Sequence, residues 1–231
     1  SLTITAAPTA NAGAAAETCE NTAYTVTDAS QSNGAGIVWT HDGSGSLVNA
    51  TTIAPTYTPV AADAGNVVTL TLTVSGNGSC ADAVATKALT ITAAPTADAG
   101  AAAETCENIS YTVTDAVQSN GAGIVWTHNG SGTFTAGTDV TINPEYNPVA
   151  ADAGNVVTLT MTVSGNGSCA DAVDTKALTI TAAPTANAGA AAETCENSSY
   201  LVGDATSTNG SILWTHDGSG SLVNATTIAP T

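Results

Sequence analysis

The sequence predicts an all-β protein made of tandem antiparallel β-sandwich domains that follow one another as a rod. The chain of 231 residues repeats itself, because the string LTITAAP at residues 2–8 returns at 89–95 and again at 178–184. Repeat lengths of 87 and 89 residues fit one small sandwich domain and are too long for a solenoid repeat. Apolar residues alternate with Thr or Ser in short segments, and no segment has a convincing helical period.

Seven strands are predicted in the first copy, separated by turn signals rich in Gly, Asn and Asp. The two strongest alternations, at 67–74 and 84–91, are divided by GNG at 76–78 and therefore predict a hairpin. The second copy has two additional residues around the predicted fourth and fifth strands, a place where a sandwich edge tolerates insertion. The predicted strands are 11–18, 23–28, 36–41, 46–48, 52–57, 67–75 and 81–92.

Each copy supplies the same aromatic residues to the predicted core. Trp39 lies in the third strand and is expected to face the Val and Leu side chains of the sixth, at the centre of the sandwich. The expected core framework is Tyr24, Trp39, Tyr111, Trp126, Tyr200 and Trp214.

The repeats predict the domain organisation. Residues 1–5 are interpreted as the last strand of a preceding repeat, 6–92 and 93–181 as two complete domains, and 182–231 as a truncated third. The chain is then a window cut from a longer protein. Residues 93–96 form the predicted linker, which Pro95 makes short and stiff because it fixes its own backbone and restricts Ala94.

Charge excludes one class of partner. Lys87 and Lys176 are the only basic residues against 19 acids, and the net charge is −17. A nucleic-acid-binding protein needs clustered Lys and Arg to neutralise phosphates, so nucleic acid is excluded as a partner. The acidic balance instead favours solubility and mutual repulsion.

The cysteines occur twice in each complete copy. Cys19 and Cys80 belong to the first, Cys106 and Cys169 to the second, and Cys195 is expected to be unpaired because its copy stops before the partner position. This regularity predicts one disulfide per domain and an oxidising, extracellular setting. In a simple sandwich, however, Cys19 and Cys80 would lie at opposite ends, which would require an altered first strand or a bridge between chains.

No set of residues predicts catalysis, since no nucleophile, base and acid occur in a recognisable arrangement. His41, His128 and His216 each follow Trp-Thr and are interpreted as outward-facing polar residues at the end of the third strand. No cofactor is expected. Calcium is a weak candidate, because the acids lie near turns but form no D-x-D-x-D-G series. Its possible ligands are Glu17, Glu20, Asp63 and Asp98.

Six strings resemble the PKD-like and Ig-like tandem repeats of very large bacterial surface proteins: PTANAG, CENTAYTV, IVWTHDGSGSL, APTYTP, VVTLTLTVSGNGSCADAV and KALTIT. These proteins include adhesins of the gliding-motility kind that are exported by type IX secretion. The resemblance covers every predicted strand of both complete copies. It implies a secreted, cell-surface stalk or filament that works in adhesion, and it brings no catalytic residues with it.

The sequence therefore favours a stiff extracellular stalk whose partners are its own neighbouring repeats, with identical chains as possible partners in a filament. It does not specify a terminal ligand. One alternative is a carbohydrate-binding array, for which Tyr57 and Tyr146 are the only aromatic candidates outside the predicted core. Another is a spacer within a secreted enzyme.

Overall fold

The computed structural model describes residues 2–231, and its regular structure is almost entirely β. The first copy contains nine strands, several of them only two to four residues long. They are β1 (Thr9–Asn11), β2 (Ala16–Cys19), β3 (Tyr24–Thr25), β4 (Ser30–Ser32), β5 (Gly36–His41), β6 (Ser46–Val48), β7 (Thr56–Thr58), β8 (Val67–Ser75) and β9 (Ala83–Thr92). A single 3₁₀ turn, Ala61–Asp63, lies between β7 and β8.

The second copy repeats this order strand by strand, with its own 3₁₀ turn at Ala150–Asp152. Its strands are β10 (Thr96–Asp98), β11 (Ala103–Cys106), β12 (Tyr111–Thr112), β13 (Val117–Ser119), β14 (Gly123–His128), β15 (Thr133–Phe134), β16 (Glu145–Asn147), β17 (Val156–Ser164) and β18 (Ala172–Thr181). The third copy contributes β19 (Thr185–Asn187) and β20 (Thr206–Thr208).

Each complete copy is a sandwich built around one four-stranded sheet. In the first copy the order is β2-β9-β8-β5, in which β8 is antiparallel to β5 and β9, whereas β2 is parallel to β9. The opposite layer comprises β3-β7-β6 together with the pair β1-β4. The second copy has the same sheets, and its four-stranded sheet has the order β11-β18-β17-β14. The predicted hairpin is confirmed as β8–β9.

The predicted first strand, 11–18, is wrong as a single element, because it divides into β1 and β2, which belong to different sheets. The break falls at Gly13, whose φ of 87° is in the left-handed region that favours glycine. A Cβ at this residue would also overlap the Asp28 carboxylate, which accepts a hydrogen bond from the Ala14 amide at 2.8 Å. This division lets β2 run alongside β9.

Other strand bounds vary in accuracy. The third, fourth and sixth predicted strands match β5, β6 and β8, and the seventh, 81–92, is confirmed as β9 with its start two residues later. The second is shortened to β3, and the fifth is shortened and moved one residue along the chain to β7. The pairing of β4 with β1 was not predicted. Residues 2–8 contain no strand, and residue 1 of the predicted preceding strand lies outside the described residues.

The cores lie between the layers of the two complete copies. Trp39 and Trp126 are each 2 % exposed and lie within clusters of buried Val, Leu and Ile side chains. Tyr24 and Tyr111 are only half-buried and pack against these clusters from the side. Tyr200 is 40 % exposed because the third copy has no strands equivalent to β8 and β9 to cover it. Within residues 2–231, the helical segments are all too short to cross a membrane.

Candidate functional site: the joint between the first two copies

The joint is the short segment between the end of β9 at Thr92 and the start of β10 at Thr96. Pro95 is buried, and the Asn120 side chain donates a hydrogen bond to the Ala94 carbonyl at 3.0 Å. The same contact recurs at the other linkers, where Asn33 donates to Ala7 and Asn209 donates to Ala183. Each of these linkers is therefore anchored to the copy that follows it, which limits the freedom of its backbone.

A disulfide between Cys19 and Cys169 crosses this joint, with Cα atoms 4.9 Å apart. Cys19 ends β2, and the parallel register places it beside Thr92, the last residue of β9. Cys169 lies in the loop between β17 and β18 of the next copy, and this loop reaches back to the first. Both residues are buried, at 5 % and 9 % exposed. The bridge therefore joins neighbouring copies, not the two ends of one copy.

The predicted pairs within a copy, Cys19–Cys80 and Cys106–Cys169, are wrong. Cys80 precedes the first residue of β9, whereas Cys19 lies beside its last. A strand rises about 3.3 Å per residue, so the length of β9 separates these cysteines by roughly 30 Å. Disulfide formation requires Cα atoms within about 7 Å. Cys19 and Cys80 therefore lie at opposite ends of the sandwich, as the predicted order of strands indicated. The bridge that forms instead joins two copies of one chain.

Polar contacts surround the bridge. The Ser168 amide donates a hydrogen bond to Glu17 Oε1 at 2.9 Å, so this carboxylate also connects the two copies. Gly167 has a φ of 57°, and a Cβ there would overlap the Glu17 carboxylate. Cys169 Sγ lies 3.6 Å from the carbonyl oxygens of Thr92 and Ala93. We call residues 167–169 the plug and the surface formed by Glu17, Cys19 and Thr92 the socket.

Three cysteines are free within residues 2–231: Cys80, Cys106 and Cys195. Cys80 is partly exposed in the first copy at the position of Cys169, and Cys106 is exposed in the second at the position of Cys19. Cys195 is exposed in the third copy at the same position as Cys106. The first copy therefore has an unused plug, and the second has an unused socket.

The four calcium candidates are not brought together. No group of three or more His, Cys, Asp or Glu side chains suited to a metal occurs in the part of the chain that the structure describes. Glu17 Oε1 is engaged with Ser168, and Asp98 accepts a hydrogen bond from Gly100 N at 2.9 Å. Asp63 is buried in a separate hydrogen-bond network. Glu20 lies just past the end of β2, where its backbone amide bonds to Thr92 O.

Tyr57 and Tyr146, predicted to lie outside the core, are both fully buried. Tyr57 donates a hydrogen bond to Asp63 Oδ2 at 2.8 Å, and Asp63 also accepts from the Ser44 amide at 2.7 Å. Tyr146 and Asp152 form the same pair in the second copy at 2.9 Å. Burial, together with the adjacent carboxylate, raises the pKa of Tyr57 to about 12. These tyrosines anchor the loop before β8 and offer no surface for stacking a sugar.

The histidines are also placed differently from the prediction. His41 is half-buried, with its ring centroid 4.9 Å from that of Tyr57 and its Nδ1 3.1 Å from Gly43 O. His128 packs against Tyr146 and Phe134, and its Nδ1 is buried without a partner among residues 2–231. Only His216, in the third copy, is exposed. The alternation of β5 turns these rings inward over the tyrosines.

Both lysines are buried, a placement that was not predicted from the sequence. Lys87 forms an ion pair with Asp28 at 2.8 Å and lies over the Tyr24 ring, and Lys176 does the same with Asp115 and Tyr111. Burial opposes the charged ammonium of Lys87, but its hydrogen bonds to the Asp28 carboxylate and the nearby Tyr24 side chain outweigh burial and raise the pKa of Lys87. The sequence did contain an indication of this burial, because Lys87 alternates with Leu89 and Ile91 and therefore lies on the same inward face of β9. The exposed surface consequently carries acidic side chains and no lysine.

Acid is expected to destabilise each complete copy through its buried Asp–Tyr pair. Burial opposes ionisation of Asp63, yet hydrogen bonds from Ser44 and Tyr57 hold its pKa below the ordinary value of 3.8. A lowered folded-state pKa contributes stability above the unfolded value, and this is lost as pH falls through the folded value. The free energy of unfolding should therefore decrease below about pH 4.

Urea unfolding measured between pH 2 and 6 checks this dependence. Asp63→Asn should be less stable at pH 6, because the amide nitrogen cannot accept the bonds that the carboxylate accepts. It should also have a shallower slope of stability against pH. The double variant with Asp152→Asn should flatten the slope again, since the two sites lie in different cores. An unchanged slope in the double variant would show that these carboxylates do not set the acid response.

The chain matches no protein family in a search of family descriptions. No curated protein matches it either. Among solved structures, it is similar to an E-to-A variant of titin domains I67-I69, with a TM-score of 0.51, 13 % identity and coverage of 96 % of this chain and 86 % of that chain. An I-band fragment I67-I69 from titin gives a TM-score of 0.50 and 14 % identity, covering 94 % of this chain and 83 % of that chain. These likenesses show the fold: the chain consists of tandem immunoglobulin-like β-sandwich domains.

Proposed function

We propose that this chain is the repeat region of an extracellular surface adhesin or filament and acts as a stiff stalk, in which a covalent bridge fastens the joint between the first two copies. The observation that carries the proposal is the Cys19–Cys169 bridge across the joint. A disulfide persists in oxidising compartments, which supports a secreted or cell-surface location. The anchored linker and the Glu17–Ser168 hydrogen bond support stiffness at the same joint.

The bridge also changes how the chain would carry a pulling force. A force applied at the two ends passes from Cys19 directly to Cys169, so the residues between them bear no load while the bridge is intact. The bridged cysteines are 150 residues apart in sequence. This segment includes β3 to β17, nearly all of both complete sandwiches. A stalk built in this way would not lengthen by unfolding these domains.

The acidic surface supports a stalk that stands apart from its neighbours. With Lys87 and Lys176 buried, no lysine is available to attract the carboxylates of an adjacent chain. Like charge disfavours lateral association and keeps such rods in solution. The carbohydrate-binding alternative loses its support, because Tyr57 and Tyr146 are buried. A spacer in a secreted enzyme would use the same mechanical property.

Single-molecule pulling from the two ends tests the proposal. The oxidised chain should show a fully unfolded contour length shorter than that of the Cys19→Ser variant. At about 3.3–3.6 Å per extended residue, the 150-residue loop accounts for a difference of roughly 500 Å. Reduction of the wild-type chain should give the same gain in length.

Cys106→Ser is the matched control, because this cysteine has the same position in the second copy but no bridge. Its contour length under oxidising conditions should equal that of the wild type. Extension of the oxidised wild-type chain to its full contour length would overturn the proposal, since the joint would then not carry the load.

A further inference from the structure

The unused socket of the second copy has the same construction as the occupied one. Strand β11 runs parallel to β18, and the register places Cys106 beside Thr181, as Cys19 lies beside Thr92. Thr181 Oγ1 is 3.3 Å from Cys106 Sγ. Glu104 has the position of Glu17, and both Glu104 and Cys106 are exposed. No plug covers Cys106 within residues 2–231, whereas residues 167–169 cover Cys19 at the first joint.

The plug keeps its shape whether or not it is docked. In the free loop of the first copy, Gly76 N bonds to Asp82 Oδ1 at 2.9 Å and Cys80 N bonds to Asn77 O at 3.1 Å. In the docked loop of the second copy, the same two bonds measure 2.8 Å and 3.1 Å, from Gly165 and Cys169. Gly78 faces open space, whereas Gly167 faces Glu17. Because the loop is preorganised, docking requires little ordering of the chain.

The free plug cysteine is also aligned for its own bridge. Cys80 Sγ lies 3.6 Å from Thr5 O and 3.9 Å from Ala6 O. Thr5 and Ala6 correspond to Thr92 and Ala93, which contact Cys169 in the bridged joint. The thiol therefore already lies against the backbone on which a socket cysteine would be placed.

We propose that Cys106 is a disulfide attachment site for the plug cysteine of a complete repeat placed after the second copy, and that one such bridge forms at every joint between complete repeats. The chemistry is thiol–disulfide exchange with a small oxidised disulfide such as oxidised glutathione. Two thiols lose two protons and two electrons, one S–S bond forms, and the oxidant is reduced to two thiols. The site has the same position in its copy as the socket that receives Cys169, the plug cysteine of the second copy.

Successive bridges would then overlap. Cys106 lies within the loop closed by Cys19 and Cys169, so a bridge from Cys106 begins before the first loop ends. Every complete repeat inside an array would take part in two bridges, one with each neighbour. This inference concerns the pattern of linkage and holds whatever the array does.

Extension of the chain tests the pattern. Residues 57–92 of the first copy are added after Thr231, which aligns with Thr56, so that the third copy becomes complete and gains a plug cysteine. After refolding with oxidised and reduced glutathione, non-reducing peptide mapping should find Cys19–Cys169 and a new link from Cys106 to the added cysteine. The free thiols should fall from three to two, Cys80 and Cys195.

Two variants sharpen the result. Cys106→Ser in the extended chain should leave the added cysteine free, whereas Cys195→Ser should leave the new link intact. In a second extended chain, residues 96–181 of the second copy replace residues 185–231, so that the added copy has the whole sequence in which Cys169 docks at the first joint. A free Cys106 in both extended chains, or a link from the added cysteine to Cys80 or Cys195, would overturn the proposal.

Discussion

Replacing Cys19 with serine is expected to lower the free energy of unfolding of the oxidised chain by about 2–4 kcal/mol, the usual contribution of a native disulfide. The bridge closes a segment of 150 residues, and the cross-link restricts the unfolded chain over that entire length. Without it, the plug is held by contacts such as the single hydrogen bond from Ser168 to Glu17. One hydrogen bond contributes about 1 kcal/mol and would not replace the covalent link.

Urea unfolding under oxidising conditions measures the loss, with Cys106→Ser as the matched control. The control removes a cysteine at the equivalent end of β11, but that residue is exposed and forms no bridge in this chain. Its stability should change by less than about 0.5 kcal/mol. Hydrogen exchange at the Ser168 amide gives a local readout, since its protection should fall only in the Cys19 variant. Equal losses in the two variants would contradict the bridge at this joint.

The sandwich architecture was predictable because its longest strands have a clear alternation of apolar and polar residues in the sequence. In β8, the alternation VVTLTLTVS places Val68, Leu70, Leu72 and Val74 in the core and the Thr side chains outside. The GNG turn then brings the next alternation back beside it as β9. The tandem immunoglobulin-like fold predicted from this pattern is confirmed by the likeness to the three-domain titin fragments.

The disulfide was not predictable from spacing, because its geometry depends on one non-local pairing. Cys19 reaches the joint only because the chain breaks at Gly13 and β2 then runs parallel to β9. Two cysteines per copy fit a bridge within a copy as well as a bridge to the next. The predicted strand order did argue against a bridge within a copy, because a sandwich with these strand positions separates Cys19 from Cys80 by the length of a strand.

The buried polar pairs escaped prediction for a related reason. Tyr57 and Lys87 are amphipathic side chains, which sequence patterns usually assign to the surface. Each is buried because a carboxylate from a turn reaches it: Asp63 bonds the Tyr57 hydroxyl, and Asp28 pairs with Lys87. The alternation of β9 marks Lys87 as inward-facing. The partner carboxylates lie outside the strands, so period-two patterns do not identify them. Their recurrence as Tyr146–Asp152 and Lys176–Asp115 shows that they belong to the repeat.

Trp39→Ala is expected to cost about 3–5 kcal/mol, enough to unfold the first copy or nearly so. Trp39 is 2 % exposed, so truncation leaves a large cavity among Val68, Leu72 and their neighbours. The change also removes the hydrogen bond from Nε1 to Thr52 O, which is 3.1 Å long. Trp39→Phe separates these effects, because it keeps most of the volume and loses the hydrogen bond, at a cost nearer 1 kcal/mol.

Trp214→Ala is the matched control for burial. Trp214 makes the same hydrogen bond, to Thr227 O at 3.0 Å, but no strands equivalent to β8 and β9 cover its ring, which is only half-buried. Its replacement should therefore cost less than about 1 kcal/mol, since little apolar surface returns to water. Hydrogen exchange of the β8 amides measures the stability of the first copy alone, because β8 belongs only to that copy. Unchanged protection of β8 in the Trp39→Ala chain would show that the core does not depend on this ring. An equal loss of stability in Trp39→Ala and Trp214→Ala would show that the effect comes from the lost hydrogen bond and not from the cavity.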